Sequence, residues 1–215
     1  MLRLKPPTHR IDAPGTYICG RDPAWDDAKN DAHLAAFVER ARKEKQDSAE
    51  ADYREGNKDR ELTDTEIETV RAAVELTAAE RKAAIELHPV VRYFSGVTRW
   101  QPNAPDWGPD GAPITVRDYL KPGAKPTEFQ IRRLSLRDFQ AVCEIDNTRA
   151  RLLEAARAGL RAIRSEGYEW TARGDEWATD AQLEAIHEAD PELVPELGTA
   201  VLNLCRPLSD PELFR

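Results

Sequence analysis

Cysteine is scarce, and the three present, Cys19, Cys143 and Cys205, are far apart and odd in number. That spacing fits neither a disulfide framework nor a cysteine-based zinc site, and it suits a reducing cytoplasm. No apolar run approaches the roughly 18–20 residues needed to cross a bilayer. The first residues, Met1 to Pro7, are basic but lack the apolar centre of a signal peptide, so a soluble, intracellular protein is expected. The four histidines, His9, His33, His88 and His187, are scattered, and no H-x-x-x-H or H-x-H pairing occurs. Glycine-rich phosphate cradles of the G-x-G-x-x-G and G-x-x-x-x-G-K-[ST] kinds are missing, as is a G-x-S-x-G nucleophile elbow. No catalytic residue, metal ligand or cofactor site is therefore assigned, and a non-enzymatic role is expected.

What is present is charge. The 215 residues are 33% charged and 40% apolar, with a mean hydropathy of −0.65, so part of the chain is expected to lie outside any core. The net charge of −8 is unevenly spread: −6 over residues 26–68, +4 over 129–164 and −9 over 165–215. An acidic balance argues against a general phosphate-binding surface. The basic and acidic C-terminal segments are placed to neutralise each other. Arg157, Arg161 and Arg164, three and four residues apart, read as one helix face. They would contact phosphate, or pair with Glu154, Glu166 and the acidic tail; the acidic surroundings favour pairing.

Periodicity divides the chain coarsely. Residues 1–24, rich in proline and glycine, read as an extended arm with Tyr17-Ile18-Cys19 as its strand-like piece. Leu34, Phe37, Val38 and Ala41 recur at helical spacing within 26–44. Residues 45–61 hold almost no apolar side chains and read as a solvated helix or a disordered linker. Thr63-x-x-Glu66 and Thr77-x-x-Glu80 are capping boxes that predict two short helices over 64–75 and 78–87. His88-Pro89 ends the second, with a protonated His88 suited to the helix C-terminus. Val90–Phe94 and Gly96–Trp100 then alternate like two strands, and 114–116 and 129–131 offer further short ones. Ser135 caps a long helical stretch to Arg164, with a break near Asn147-Thr148; Asp180 and Pro191 open the last two helices. The expected fold is α+β, predominantly helical, with a small antiparallel sheet around residues 90–133. The expected division is 1–61 (arm, amphipathic helix and acidic linker) and 62–215 (the mixed body).

Between Gln101 and Pro126 lie six prolines and three glycines, a loop long enough to suggest a binding element. Around it cluster Tyr93, Phe94, Trp100, Trp107 and Tyr119. These five are the candidate partner-binding residues, since tyrosine and tryptophan are enriched at interfaces; the same side chains would otherwise be core.

Pro126-Thr127-Glu128-Phe129-Gln130-Ile131-Arg132-Arg133-Leu134-Ser135 resembles the strand-to-helix step of tail assembly chaperones and tail accessory proteins of long-tailed bacteriophages. Pro191-Glu192-Leu193-Val194-Pro195-Glu196-Leu197-Gly198, Val201-Leu202-Asn203-Leu204 and Leu208-Ser209-Asp210-Pro211-Glu212 are similar to the way such proteins finish. The resemblance spans about residues 126–215 and is one of rhythm. It implies a phage or prophage protein of the bacterial host cytoplasm, carried into the virion tail or left behind, whose partner is the tape measure or the tail tube protein. It implies no direct nucleic-acid contact. The alternative is an acidic phage-encoded inhibitor, a DNA mimic that blocks a host nucleic-acid-binding protein through the carboxylates of 26–68 and 165–215.

Overall fold

The computed structural model describes residues 15–96, 100–174 and 176–205. The chain runs from β1 (Gly15–Ile18) through helices α1 (Asp27–Gly56), α2 (Asp64–Ala72), α3 (Ala78–Glu86) and α4 (Pro89–Phe94). A short hairpin, β2 (Asp106–Trp107) and β3 (Pro113–Ile114), precedes a 3-10 turn at Val116–Tyr119 and strand β4 (Glu128–Ile131). Then come α5 (Leu136–Cys143), α6 (Thr148–Gly159), β5 (Leu160–Ser165), β6 (Tyr168–Thr171), α7 (Asp180–Ala189) and α8 (Leu193–Cys205). The protein is α+β and mostly helical, with small antiparallel sheets, as its periodicities imply. It forms two compact units: one of residues 1–25, 96–102 and 122–215, the other of residues 26–95 and 103–121.

In the first unit, one antiparallel sheet has the order β1-β4-β5-β6. Tyr17 lies opposite Phe129, and Phe129 opposite Ile163, so large apolar side chains meet across neighbouring strands. The β5–β6 hairpin turns at Glu166-Gly167, where Gly167 takes φ +82°, a conformation that favours glycine. Helix α8 packs along α6 and reaches β4. The buried face of α6 is Ala155, Ala156, Ala158 and Gly159, small residues that let α8 come close. Leu197 and Val201 of α8, with Ile131 and Leu160 of the sheet, are fully buried there. Pro195 is tolerated inside α8 because it falls in the first turn, where backbone donors have no helical acceptor.

Helix α1 runs well past residue 44 in the second unit, so 45–56 form a solvated helix. Its N-cap Asp26 accepts from the Lys29 amide. Both expected capping boxes form, Thr63 with Glu66 and Thr77 with Glu80, and start α2 and α3. These two helices pack on α1. Few apolar side chains serve that contact, and ions supplement them. The Arg71 guanidinium of α2 bridges Asp47 (2.7 Å) and Glu50 (2.5 Å) of α1, and Lys45 meets Glu80 at 2.8 Å.

Val90–Phe94 is a helix, not a strand: Pro89, which ends the preceding helix, also opens α4 at its first position, where its missing N–H costs nothing. The other expected strand of that pair, Gly96–Trp100, lies largely outside the described residues. The main sheet therefore draws only β4 from the 90–133 window, with the β2–β3 hairpin beside it in sequence. The helical stretch to Arg164 breaks where expected, with Asn147 capping α6, but stops at Gly159. Leu160 and Ile163, three apart, satisfy a helical face equally well, and pairing with β4 and β6 makes them strand. Arg157 is thus helical while Arg161 and Arg164 lie on β5, and the three share no helix face. Arg157 pairs with Asp180 at 2.6 Å and with Glu154, and Arg164 approaches Glu169. The compact units place α1 with the α2–α3 pair in the second, while β1 is a strand of the first.

Candidate partner-binding surface

Trp107 is the most exposed aromatic of the candidate set, at 67%. The β2–β3 hairpin holds it outward. Gly108 donates to the Ala112 carbonyl at 2.8 Å, and a Cβ on Gly108 would lie 2.9 Å from the Asp110 carboxylate. Gly111 closes the turn at φ +79°. The Asp106 carboxylate accepts from the Trp107 amide and pairs with Arg92 of α4 at 3.0 Å, tying the strand to the helix.

Beside Trp107 runs a groove of about 230 Å³, lined by Phe37, Arg40, Ala41 and Glu44 of α1, by Leu87 and Arg92, and by Asp106–Gly108. Leu87, the residue that ends α3, is 55% exposed. The groove thus offers two large apolar side chains with ion pairs at its rim, since Arg40 holds Glu44 at 2.9 Å and Arg92 holds Asp106. That is the anatomy of a protein-contact patch: apolar anchors within a polar border.

The five candidate aromatics do not share this surface. Tyr93 and Tyr119 are fully buried in the second unit, with Val90 and Val116. Phe94 is half-buried, its ring edge-on to Tyr93 at 5.2 Å. Trp100, 1% exposed, is core to the first unit, edge-on to Tyr17 at 6.1 Å. It sits at φ +53°, with its ring 3.1 Å from where a Gly96 Cβ would stand. Only Trp107 presents a full ring to solvent.

The sequence marks Phe37 only as part of the helical stripe of α1, and it does not mark Leu87. Leu87 had a signal: a large apolar residue at a helix end, just before His-Pro. The more consequential omission is His88 as a buried residue. Its Nδ1 accepts from the Val90 amide at 3.3 Å, capping α4. Burial, and then the nearby His33, push its pKa down to about 4. The expected protonated helix-end histidine is instead held neutral by that burial, and it caps the N-terminus of α4.

The first unit carries a different cluster beside a cavity of about 610 Å³ floored by Phe129, Ile163 and Ile186. Tyr17 donates to Glu196, and Arg21 reaches both Asp190 (2.8 Å) and Glu196 (3.0 Å). The Cys19 thiol points at the same Glu196 carboxylate at 3.7 Å, and burial pushes its pKa up to about 11. Burial thus favours the protonated thiol over the thiolate. The network ties β1 and the residues after it to α8. Among the described residues, no group of three or more histidines, cysteines or carboxylates gathers to hold a metal ion, and no helix is long and apolar enough to cross a membrane. Compared with known proteins, the chain matches no protein-family model, no curated protein and no solved structure.

Proposed function

We propose that this chain is a non-enzymatic binding protein of phage tail assembly, and that it holds tape measure or tail tube protein through the groove beside Trp107. The observation that carries the contact is the pairing of Trp107 and Leu87, both more than half exposed, on a hairpin and helix end braced from beneath. An exposed tryptophan held in one place loses little entropy on binding, and tryptophan is enriched among the anchors of protein interfaces. The groove is shallow for a small molecule, whose sites run from roughly 300 Å³ upward. The tail-assembly context rests on the resemblance over residues 126–215. The quoted strand-to-helix step there is β4 leading into α5, with Ser135 as the cap.

A DNA mimic needs carboxylates free to meet a basic partner. In the 26–68 segment, Asp47 and Glu50 are held by Arg71, and Glu66 by Arg60, so these three carboxylates are engaged within the unit. This favours the assembly reading over the inhibitor one.

Co-expression with the tape measure and tail tube proteins of a candidate phage, followed by size-exclusion chromatography, tests the reading. One of the two should co-elute with the wild-type chain and not with Trp107→Ala, while Trp177→Ala, on an exposed aromatic of the first unit, co-elutes as wild type. Co-elution unaffected by Trp107→Ala would overturn the assignment of the surface. Failure of both tail proteins to bind would overturn the assignment of the partner.

A further inference from the structure

His88 lies directly beneath the groove. It follows Leu87 in the chain, caps the helix that carries Arg92, and packs edge-on against Phe37 at 5.6 Å. Leu87, Arg92 and Phe37 all line the groove. Only 2% of His88 is exposed, and it is the one polar residue among the described buried set.

Its chemistry admits a single protonation state in this fold. Nδ1 accepts the Val90 hydrogen bond, so the ring proton must sit on Nε2, which is buried without a hydrogen-bond partner. A second proton would have to enter at Nδ1, where it would meet the Val90 N–H head-on and abolish the cap. It would also place a positive charge at a helix N-terminus.

The surroundings do not compensate. From α1 come Phe37 and His33, the latter with its Nδ1 3.4 Å from the Tyr119 hydroxyl. Lys29 stands 5.8 Å from the centre of the Tyr119 ring. The 3-10 turn brings Tyr119 itself, 4.9 Å from the His88 ring and kept neutral by burial and by Asp106, Asp118 and Asp110. Asp118 accepts from both the amide and the hydroxyl of Thr115, and Asp106 is paired with Arg92.

We propose that the Trp107 groove is acid-labile, and that protonation of His88 uncaps α4 and dismantles it. As regulation of a partner contact this rests on the function proposed above; as a property of the groove it stands alone. The group's folded pKa is below its unfolded value, so its contribution to stability is complete above about pH 6.5 and falls away toward pH 4. At pH 5 the folded form of this region should be disfavoured roughly 30-fold relative to neutral pH.

Hydrogen exchange read by mass spectrometry, corrected for the intrinsic pH dependence of exchange, tests this without any partner. Peptides covering 87–94 and 103–121 should lose roughly 30-fold in protection between pH 7.4 and pH 5, while those covering 128–165 keep theirs. His88→Asn retains an acceptor for the Val90 amide and does not titrate, so its protection should not change with pH. Equal protection of the wild type at both values would overturn the proposal, as would a His88→Asn protein that loses as much as wild type. Should the variant not fold, the ring signals of His88 in the wild type decide. A midpoint near pH 4, accompanied by loss of the Val90 amide cap, supports the proposal, and an ordinary midpoint near 6.5 with α4 intact sinks it. Loss of tail-protein binding already at pH 7.4 would bear on the proposed function alone.

Discussion

Gly198 of α8 faces the Leu152 carbonyl of α6 so closely that a Cβ at position 198 would stand 2.0 Å from that oxygen. The obstacle is backbone, which cannot rotate away. Gly198→Ala should destabilise the first unit by about 3 kcal/mol, at the upper end of overpacking costs, visible as a shift in urea midpoint. At the neighbouring close point, a Cβ on Gly159 would meet Val201 at 2.4 Å, and there the obstacle is a side chain. Gly159→Ala should therefore be largely rescued by Val201→Ala, and an additive double mutant would contradict the geometry. Gly56, at the end of α1, meets nothing within 4 Å, and Gly56→Ala should stabilise the protein by about 0.5–1 kcal/mol through helix propensity.

The two tryptophans of the central loop region should separate cleanly. Trp100→Ala removes a fully buried ring and should cost about 3–5 kcal/mol. Trp107→Ala removes an exposed one and should change stability by less than about 0.5 kcal/mol. Denaturant titration of the two variants checks this, and comparable losses would mean Trp107 is structural.

Glu80 should titrate far from an ordinary glutamate. Lys45 first, then the amide and hydroxyl of Thr77, hold its carboxyl down to about 2. Its folded pKa lies below the unfolded value, so its contribution is complete above about pH 4.5 and lost as the pH falls toward 2. Carboxyl carbon shifts followed by NMR would show this, and Lys45→Met should raise the midpoint. Thr77→Ala should cost about 1 kcal/mol through the lost cap.

Much of the architecture was legible because it is written in local chemistry. Thr63 with Glu66, Thr77 with Glu80, Ser135 and Asn147 each announce a helix start by a side chain that serves its own backbone. The failures were non-local. Val90-Val91 look β-forming, yet a cap from His88 and the fixed φ of Pro89 win. Leu160 and Ile163 fit a helical stripe until β4 arrives from thirty residues upstream to pair with them. The candidate site was legible only in Trp107. Exposure separates it from Trp100 and Tyr119, and exposure depends on which strands and helices close over each ring. His88 follows the end of α3 and caps the start of α4, a role set by Pro89.

The most direct measurement is photo-crosslinking in induced or infected bacteria, with benzoylphenylalanine in place of Trp107 and, separately, in place of Leu153 as a control on the first unit. The expected result is a crosslink from position 107 to tape measure or tail tube protein, absent from position 153. A crosslink from 107 to a host nucleic-acid-binding protein, or tail-protein crosslinks from 153 and none from 107, would contradict the proposed role of the groove.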